Sequence, residues 1–469
     1  MLDCVRYPLQ IMNDSLENLR SALPGMVWPA WPTPASATML ALQFQLEQTQ
    51  WWSPARLREH QLRQLRLLLR HAQETVPFYR ERLADAGVRA ERKFDEHRFA
   101  ELPRLTRAEV HASGDALHSR ALPPSHAPVA QGQTSGSTGT PVTFLSTRVT
   151  QLFWQAFNLR DHLWHGRDLG LKLATIRPDR GNRDEHGRTA PHWTPLLAEL
   201  FGEGPSGLLH SSNPISRQID WLVEQNPDYV LTLATNLLEL AREMSRRGLR
   251  LPRLREARSF GEALGPTARA ECAALLGVKV VDMYTSQEAG YLALQCPESG
   301  HYHAQSEGVI VEVLDDRGHP CREGGIGRVV VTPLHNYAMP LIRYEIGDYA
   351  EAGGSCACGR GLPVIRRVLG RERNLAIAPD GGKFYPSFAA EVWAGIGGIR
   401  QIQLVQKTPR TIAIRYAAAR ELSGEEAGRL SEALRAALGH PFEFSLVRMD
   451  SVPRAASGKY EDFICEVRA

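Results

Sequence analysis

Across 469 residues the sequence contains no apolar run close to the roughly 20 residues that a membrane-spanning helix needs, so no membrane span is expected. It also lacks a long basic run. The formal charge is only +3, and the arginines are scattered along segments such as Leu57-Arg58-Glu59-His60, which leaves little for a nucleic acid to bind. Cysteine is sparse and odd in number, 7 in all, which argues against a disulfide framework and for a reducing compartment. No charged head followed by an apolar core marks a signal peptide, so a cytoplasmic protein is expected. There is no internal repeat, and no Ser/His/Asp order with a nucleophile elbow, so hydrolase chemistry has no signature.

What the chain does have is a run of small and hydroxyl residues, Gln133-Thr134-Ser135-Gly136-Ser137-Thr138-Gly139-Thr140-Pro141, just before the strand-like Val142-Thr143-Phe144. Such a loop turns tightly and brings backbone N–H groups and hydroxyls against a polyphosphate. The Gly-Lys-Ser/Thr ending of a Walker loop is missing, so an ordinary kinase or GTPase site does not fit. The unliganded reading is a flexible Ser/Gly turn.

Length and pattern imply an α/β protein with two or three domains. Residues 53–86 carry a leucine face at helical spacing, interrupted at Pro77. Gln155 to Trp164 and Arg217 to Glu224 are further helix candidates. Tyr229–Leu233 and Val278–Asp282 read as strands alternating with helices. Val309–Leu314 and Arg328–Thr332 read as a later antiparallel pair. Val27-Trp28-Pro29-Ala30-Trp31-Pro32 reads as a loop in an N-terminal extension covering residues 1–50. A large α/β domain of packed sheets and helices is expected over 51–370, and a small mobile α+β domain over 371–469. In the small domain, strands at Gln401–Val405 and Thr411–Tyr416 precede a helix opened by Ser423 and Glu426 at capping-box spacing and closed at Gly439, and Phe442–Val447 follows.

Separated segments then fall into one order: the Thr134–Pro141 loop; Ser259-Phe260-Gly261-Glu262-Ala263-Leu264; Asp282-Met283-Tyr284-Thr285-Ser286-Gln287-Glu288; Tyr344-Glu345-Ile346-Gly347-Asp348; and Gly370-Arg371 with the distal Gly458-Lys459. This order and spacing resemble the adenylate-forming superfamily of acyl-CoA synthetases and adenylation domains. Val76-Pro77-Phe78-Tyr79-Arg80 and Leu102-Pro103-Arg104-Leu105-Thr106 are more similar to its phenylacetate–CoA ligase branch, capsule-biosynthesis relatives included. Taken singly, Asp348 reads as a turn residue, Glu288 as a helix-start charge and Lys459 as one exposed lysine among many.

The resemblance implies an enzyme that adenylates a carboxylic acid with ATP, releases pyrophosphate and passes the acyl group on, most often to coenzyme A. It implies that Thr134, Ser135, Gly136, Ser137, Thr138 and Gly139 hold the phosphates, that Gly261, Glu262 and Tyr284 lie beside the adenine, and that Glu288 holds Mg²⁺. Asp348 would accept the ribose hydroxyls, and Arg371 and Gln287 would reach the nucleotide. Lys459 would bridge the substrate carboxylate and the α-phosphate. Gln287 stands where the family usually has Thr or Ser, and Gly370-Arg371-Glu372-Arg373 where the hinge commonly ends in Asp. A hydroxyl, amine or carrier acceptor in place of CoA is the alternative for the second step. A noncatalytic scaffold that keeps the fold is the alternative from another class. The resemblance also implies a homodimer.

Cys296, His301, His303, Cys356 and Cys358 form a separate group with ligands enough for a structural tetrahedral Zn²⁺ site, the fourth ligand being either His301 or His303. By resemblance, the middle of the chain forms the acyl pocket, which makes Trp154, Phe157, Trp164 and His210 candidate substrate contacts.

Overall fold

In the computed structural model, the described residues are 19–88, 95–134, 141–178, 184–386, 392–393, 395–452 and 462–467. The helix Pro54–Thr75 begins where the Ser53 hydroxyl accepts the Arg56 N–H, with Pro54 at the first position, where no N–H is missed. Leu57, Leu65, Leu68, Leu69 and Ala72 recur at helical spacing and are buried. Val76 is extended, as a residue before proline prefers, and Pro77 starts the next helix, Pro77–Asp85. The helix Pro34–Thr49 packs Met39 and Leu46 into a core shared with Ala156, Phe157 and Leu159 of the helix Arg148–Trp164, and Gln43 Nε2 donates to the Ala156 carbonyl. Trp28, on the preceding loop, is exposed. No helix among the described residues is long and apolar enough to cross a membrane.

Strands β1 (Val129–Gln133) and β2 (Thr143–Thr147) form an antiparallel ribbon that frames the glycine-rich loop. The following strands are β3 (Leu173–Arg177), β4 (Arg188–Ala190), β5 (Ser206–His210), β6 (Tyr229–Leu233), β7 (Glu256–Phe260), β8 (Lys279–Ser286), β9 (Gly290–Gln295), β10 (Tyr302–Ala304), β11 (Val309–Leu314), β12 (Ile326–Pro333), β13 (Tyr344–Ala352) and β14 (Val364–Arg371). They form one sheet in the order β11-β12-β13-β14-β10-β9-β8-β7-β6-β3-β5-β4. Its β5-β3-β6-β7-β8 half is parallel with helical crossovers, and its β9–β14 half is antiparallel. The parallel strands end on one edge, the place where open α/β sheets leave a ligand crevice. Strand β7 is buried almost throughout, yet carries Glu256 and Arg258, where a parallel strand is ordinarily apolar.

A second sheet, in the order β19-β18-β17-β20, has its own core of Ile402, Leu404, Ile412, Ile414, Leu430, Leu434 and Phe442. Its strands are β17 (Gln401–Gln406), β18 (Thr411–Ala417), β19 (Glu443–Met449) and β20 (Phe463–Cys465), the last of which the sequence pattern had not singled out. The short ribbon of β15 (Ala376–Ile377) and β16 (Lys383–Phe384) precedes it. The Ser423–Glu426 capping box is formed, with Ser423 N–H to Glu426 Oε2 at 2.8 Å and Glu426 N–H to Ser423 Oγ at 3.2 Å. The helix Gly424–Leu438 stops at Gly439, whose φ of +71° is cheap only without a Cβ.

Candidate functional site

A cavity of about 1500 Å³ opens at the C-terminal edge of the parallel strands. The turn after β7 brings Gly261 and Glu262 to it, the end of β8 brings Tyr284, Gln287 and Glu288, and β13 and β14 bring Asp348 and Arg371. Gly261 has φ +71°, so the chain reverses there without a Cβ in the way. The Glu262 carboxylate turns back to the helix Ala234–Arg246. Its Oε2 accepts the Thr235 N–H at 2.9 Å and the Thr235 hydroxyl at 2.7 Å, an anion seated on a helix N-terminus.

Asp348 and Arg371 face each other across the β13–β14 ladder, beside a bulge. Arg371 Nε lies 3.1 Å from Asp348 Oδ1, and its Nη1 donates to the Ile346 carbonyl at 2.5 Å. The Tyr284 hydroxyl donates to Asp348 Oδ2 at 2.8 Å. Burial, then the Asp348 carboxylate, pushes the Tyr284 phenol well above its ordinary range, so it stays a donor. Both Asp348 oxygens are thus oriented, and each keeps a lone-pair direction for a further donor. Glu288 is only 8% exposed, and among the described residues no side chain hydrogen-bonds its carboxylate. The Arg371 guanidinium lies within range of its charge, and its hard carboxylate oxygens would suit Mg²⁺. Gln287 is exposed at the cavity.

Thr134 closes the foot of the glycine-rich loop. Its N–H donates to the Val142 carbonyl at 2.9 Å, and its Oγ1 accepts the Val142 N–H at 2.9 Å. Ser135, Gly136, Ser137, Thr138 and Gly139 lie outside the described residues, as does Lys459. Arg107 reaches the same foot, with Nη2 at 3.3 Å from Thr134 Oγ1, and lines the cavity. Sequence reasoning passed over it. The available signal was its place directly after Leu102-Pro103-Arg104-Leu105-Thr106, where Thr106 and Glu109 form a capping box.

Of the candidate acyl contacts, Trp154 and His210 line the cavity, whereas Phe157 and Trp164 are packed in the core. Behind this wall lies a charge network. Arg167 binds Glu256 Oε1 through Nε at 2.6 Å and Asp161 Oδ2 through Nη1 at 2.7 Å, and Arg258 Nη2 binds the same Asp161 oxygen at 2.6 Å. All four groups are buried. Burial alone would raise the Asp161 pKa, but Arg167 and Arg258 together hold it well below the carboxylate range. Burial, then the neighbouring guanidinium charges, keeps His162 neutral, and burial carries His165 down to about 3 despite Asp161.

Away from the cavity, Cys296, His303, Cys356 and Cys358 are all buried, with their ligand atoms within 4.8 Å of one another. Cys296 Sγ and Cys356 Sγ are 3.9 Å apart, and Cys358 Sγ lies 3.3 Å from His303 Nε2. A tetrahedron with Zn–S bonds of about 2.3 Å has S–S edges of about 3.8 Å, so the donors present fit the ion. His303 Nδ1 faces the Leu362 carbonyl at 3.3 Å, which leaves Nε2 to ligate. His301 is outside the group; its backbone carbonyl instead accepts the Cys296 N–H at 2.6 Å.

No model of a known protein family matches the chain. It is similar to the phenylacetate-coenzyme A ligase of Pseudomonas putida, 25% identical over 334 residues that cover 68% of this chain and 72% of the relative. It is also similar to that of Thermus thermophilus, 27% identical over 354 residues covering 71% and 74%. Among solved structures, 2-hydroxyisobutyryl-CoA ligase in the postadenylation state in complex with R3-HIB-AMP superposes with a TM-score of 0.70 at 19% identity, over 90% of this chain and 92% of that one. The chain has the fold of the adenylate-forming ligases. Within this adenylate-forming fold, distant segments of the chain bring Gly261, Tyr284, Glu288, Asp348 and Arg371 to one cavity.

Proposed function

We propose that this protein activates a carboxylic acid with ATP and then transfers the acyl group to coenzyme A. The observation that carries the reading is the convergence of Tyr284, Glu288, Asp348 and Arg371 on one cavity at the strand ends. In the first step a carboxylate oxygen of the acid attacks the α-phosphate and the bond to pyrophosphate breaks, leaving an acyl adenylate. In the second the CoA thiolate attacks the acyl carbonyl and AMP leaves.

Asp348 takes the ribose hydroxyls, oriented for them by Tyr284 and Arg371. Glu288 holds Mg²⁺, which supplies positive charge to the phosphates. Thr134 and the loop from Ser135 to Gly139 donate to the departing pyrophosphate, and Arg107 adds a cation at the loop's foot. Lys459 meets the carboxylate and the α-phosphate. The cytoplasm, where thiols stay reduced and both ATP and CoA are supplied, is the compartment this reading requires.

The test is acid-dependent pyrophosphate release from ATP across an acid panel, followed by mass spectrometry for a thioester when CoA is added. Release without any thioester would transfer the second step to another nucleophile. Asp348→Ala is expected to raise the KM for ATP by about tenfold or more, since it deletes charged hydrogen bonds to the ribose. A KM within twofold of the parent would remove Asp348 from the nucleotide site.

The cysteine cluster is proposed to hold a structural Zn²⁺ through Cys296, His303, Cys356 and Cys358. It joins the β9–β10 turn to the loop before β14, so the ion ties two segments of the sheet. Elemental analysis is expected to find about one zinc per chain, falling below about a tenth in Cys358→Ser with a lower Tm. His301→Ala is expected to keep the metal. Zinc lost in His301→Ala, or a metal-free parent protein, would overturn the assignment.

A further inference from the structure

We infer that the acyl end of the cavity selects acids whose carbon skeleton carries a neutral hydrogen-bond acceptor, a hydroxyl or a carbonyl, and that the Tyr291 hydroxyl donates to it. This deepens the adenylation reading and rests on it. Trp154, Asn158 and His162 stand four residues apart on the helix Arg148–Trp164, so they share one face, and all three line the cavity. Opposite them lie Phe260 at the end of β7, Met283 on β8 and Tyr291 on β9. Trp154, Phe260 and Met283 provide the apolar surface for the carbon skeleton. The Trp154 and Tyr291 rings meet edge to face at 4.9 Å.

The polar groups on this wall form a directed relay. The two hydrogens of Arg167 Nη1 go to the Asp161 carbonyl at 2.9 Å and Asp161 Oδ2 at 2.7 Å, and the same nitrogen lies 3.3 Å from His162 Nδ1, where the guanidinium's positive charge favours a lone pair over an N–H. The single proton of the neutral imidazole then sits on Nε2, which donates to Asn158 Oδ1 at 3.1 Å. The Asn158 amide is thereby oriented with Nδ2 toward Tyr291 Oη, at 2.8 Å. The Tyr291 oxygen is already an acceptor, and its own hydrogen has no acceptor among the described residues. Burial pushes the phenol up to about 12, so it keeps that hydrogen at neutral pH. Arg258 Nε, buried on the same wall, also lacks a hydrogen-bond partner among the described residues.

Charge decides which acceptor fits. Asp161 and Glu256 balance Arg167 and Arg258, and both imidazoles beside them are neutral, so the wall has no net positive charge for a second carboxylate. An acid with no polar substituent leaves the Tyr291 hydrogen unpaired in a buried site, the arrangement that discriminates most strongly between a substrate and its deoxy analogue.

The test compares kcat/KM for pyrophosphate release with phenyl-bearing acids that differ in one ring substituent, hydrogen, hydroxyl or carboxylate, placed at each ring position. In the parent protein the best hydroxyl acid is expected to exceed the hydrogen acid by about tenfold or more, and the carboxylate acids to fall below it. In Tyr291→Phe the hydroxyl-to-hydrogen ratio is expected to collapse to within about twofold. In Asn158→Leu, which removes the aim but keeps the phenol, the ratio is expected to fall between the two. A parent protein that uses the hydrogen acid as well as every hydroxyl acid overturns this inference alone, whether or not the variants fold, and so does an unchanged ratio in Tyr291→Phe. If no acid of any kind supports release, the adenylation reading is overturned and this inference with it.

Discussion

Lys459→Ala is expected to slow acid-dependent pyrophosphate release by about 10²–10³-fold, with the loss in kcat and the KM for ATP changed by less than about threefold. Two anions, a carboxylate and a triphosphate, must approach to bonding distance in this reaction, and a cation between them is worth most at the moment they meet. In sequence the lysine falls between β19 and β20. Phe463, the first residue of β20, lines the cavity, and the Asn374 amide donates to its carbonyl at 2.8 Å. Lys459 comes four positions before Phe463 in the sequence, a tether of at most about 14 Å. Single-substrate kinetics on the variant and the parent, with the acid saturating, are the measurement. A rate within twofold of the parent would take Lys459 out of the chemistry.

Asp161→Asn is expected to cost about 3–5 kcal/mol of stability, because it removes the carboxylate that Arg258 pairs with and leaves Arg167 with Glu256 alone. Urea denaturation checks it. The double variant Asp161→Asn, Arg258→Met is expected to recover much of the loss, since the neutral pair then sits beside a satisfied Arg167–Glu256 bridge. Losses that simply add would refute the network.

The same region sets the pH dependence. His162 and His165 are held neutral in the fold, His165 down to about 3, and burial holds His335 down to about 4. The unfolded chain takes up these protons near pH 6.5 and the folded chain does not, so stability falls as pH drops below 6.5. The loss is about 2 kcal/mol for each such histidine by pH 5. The Asp161 carboxylate adds nothing in that window, because its stabilisation is complete above its unfolded pKa and is lost only at lower pH. His165→Gln is expected to flatten the profile between pH 7 and pH 5. An identical slope would assign the dependence to other groups.

Local signals were the readable ones. Ser53-Pro54 opens a helix, Pro77 restarts one, and Ser423 with Glu426 caps another, each through contacts within a few residues. The motif segments were readable because each is short and their order is distinctive. Other features needed distant partners. Glu262 lines the cavity, and its carboxylate also caps the helix at Thr235, 27 residues away, a contact no local pattern announces. Nothing in the local sequence separates His301 from His303; the antiparallel register of β10 with β9 and β14 carries His303 toward the cysteines. Phe157 and Trp164 were indistinguishable by type from Trp154, yet they point into the core.

The sequence by itself determined the helix and strand periodicity, the glycine turns and the ordered motifs, because backbone sterics, capping and apolar spacing act between near neighbours. The tertiary structure alone decided that Asp348 sits opposite Arg371 and under Tyr284, that His303 joins the cysteines, and that Asn158 aims Tyr291 across 133 residues of chain. Strand register, bulges and helix rotation set those contacts, and a shift of one residue in any of them would send the side chains to the other face.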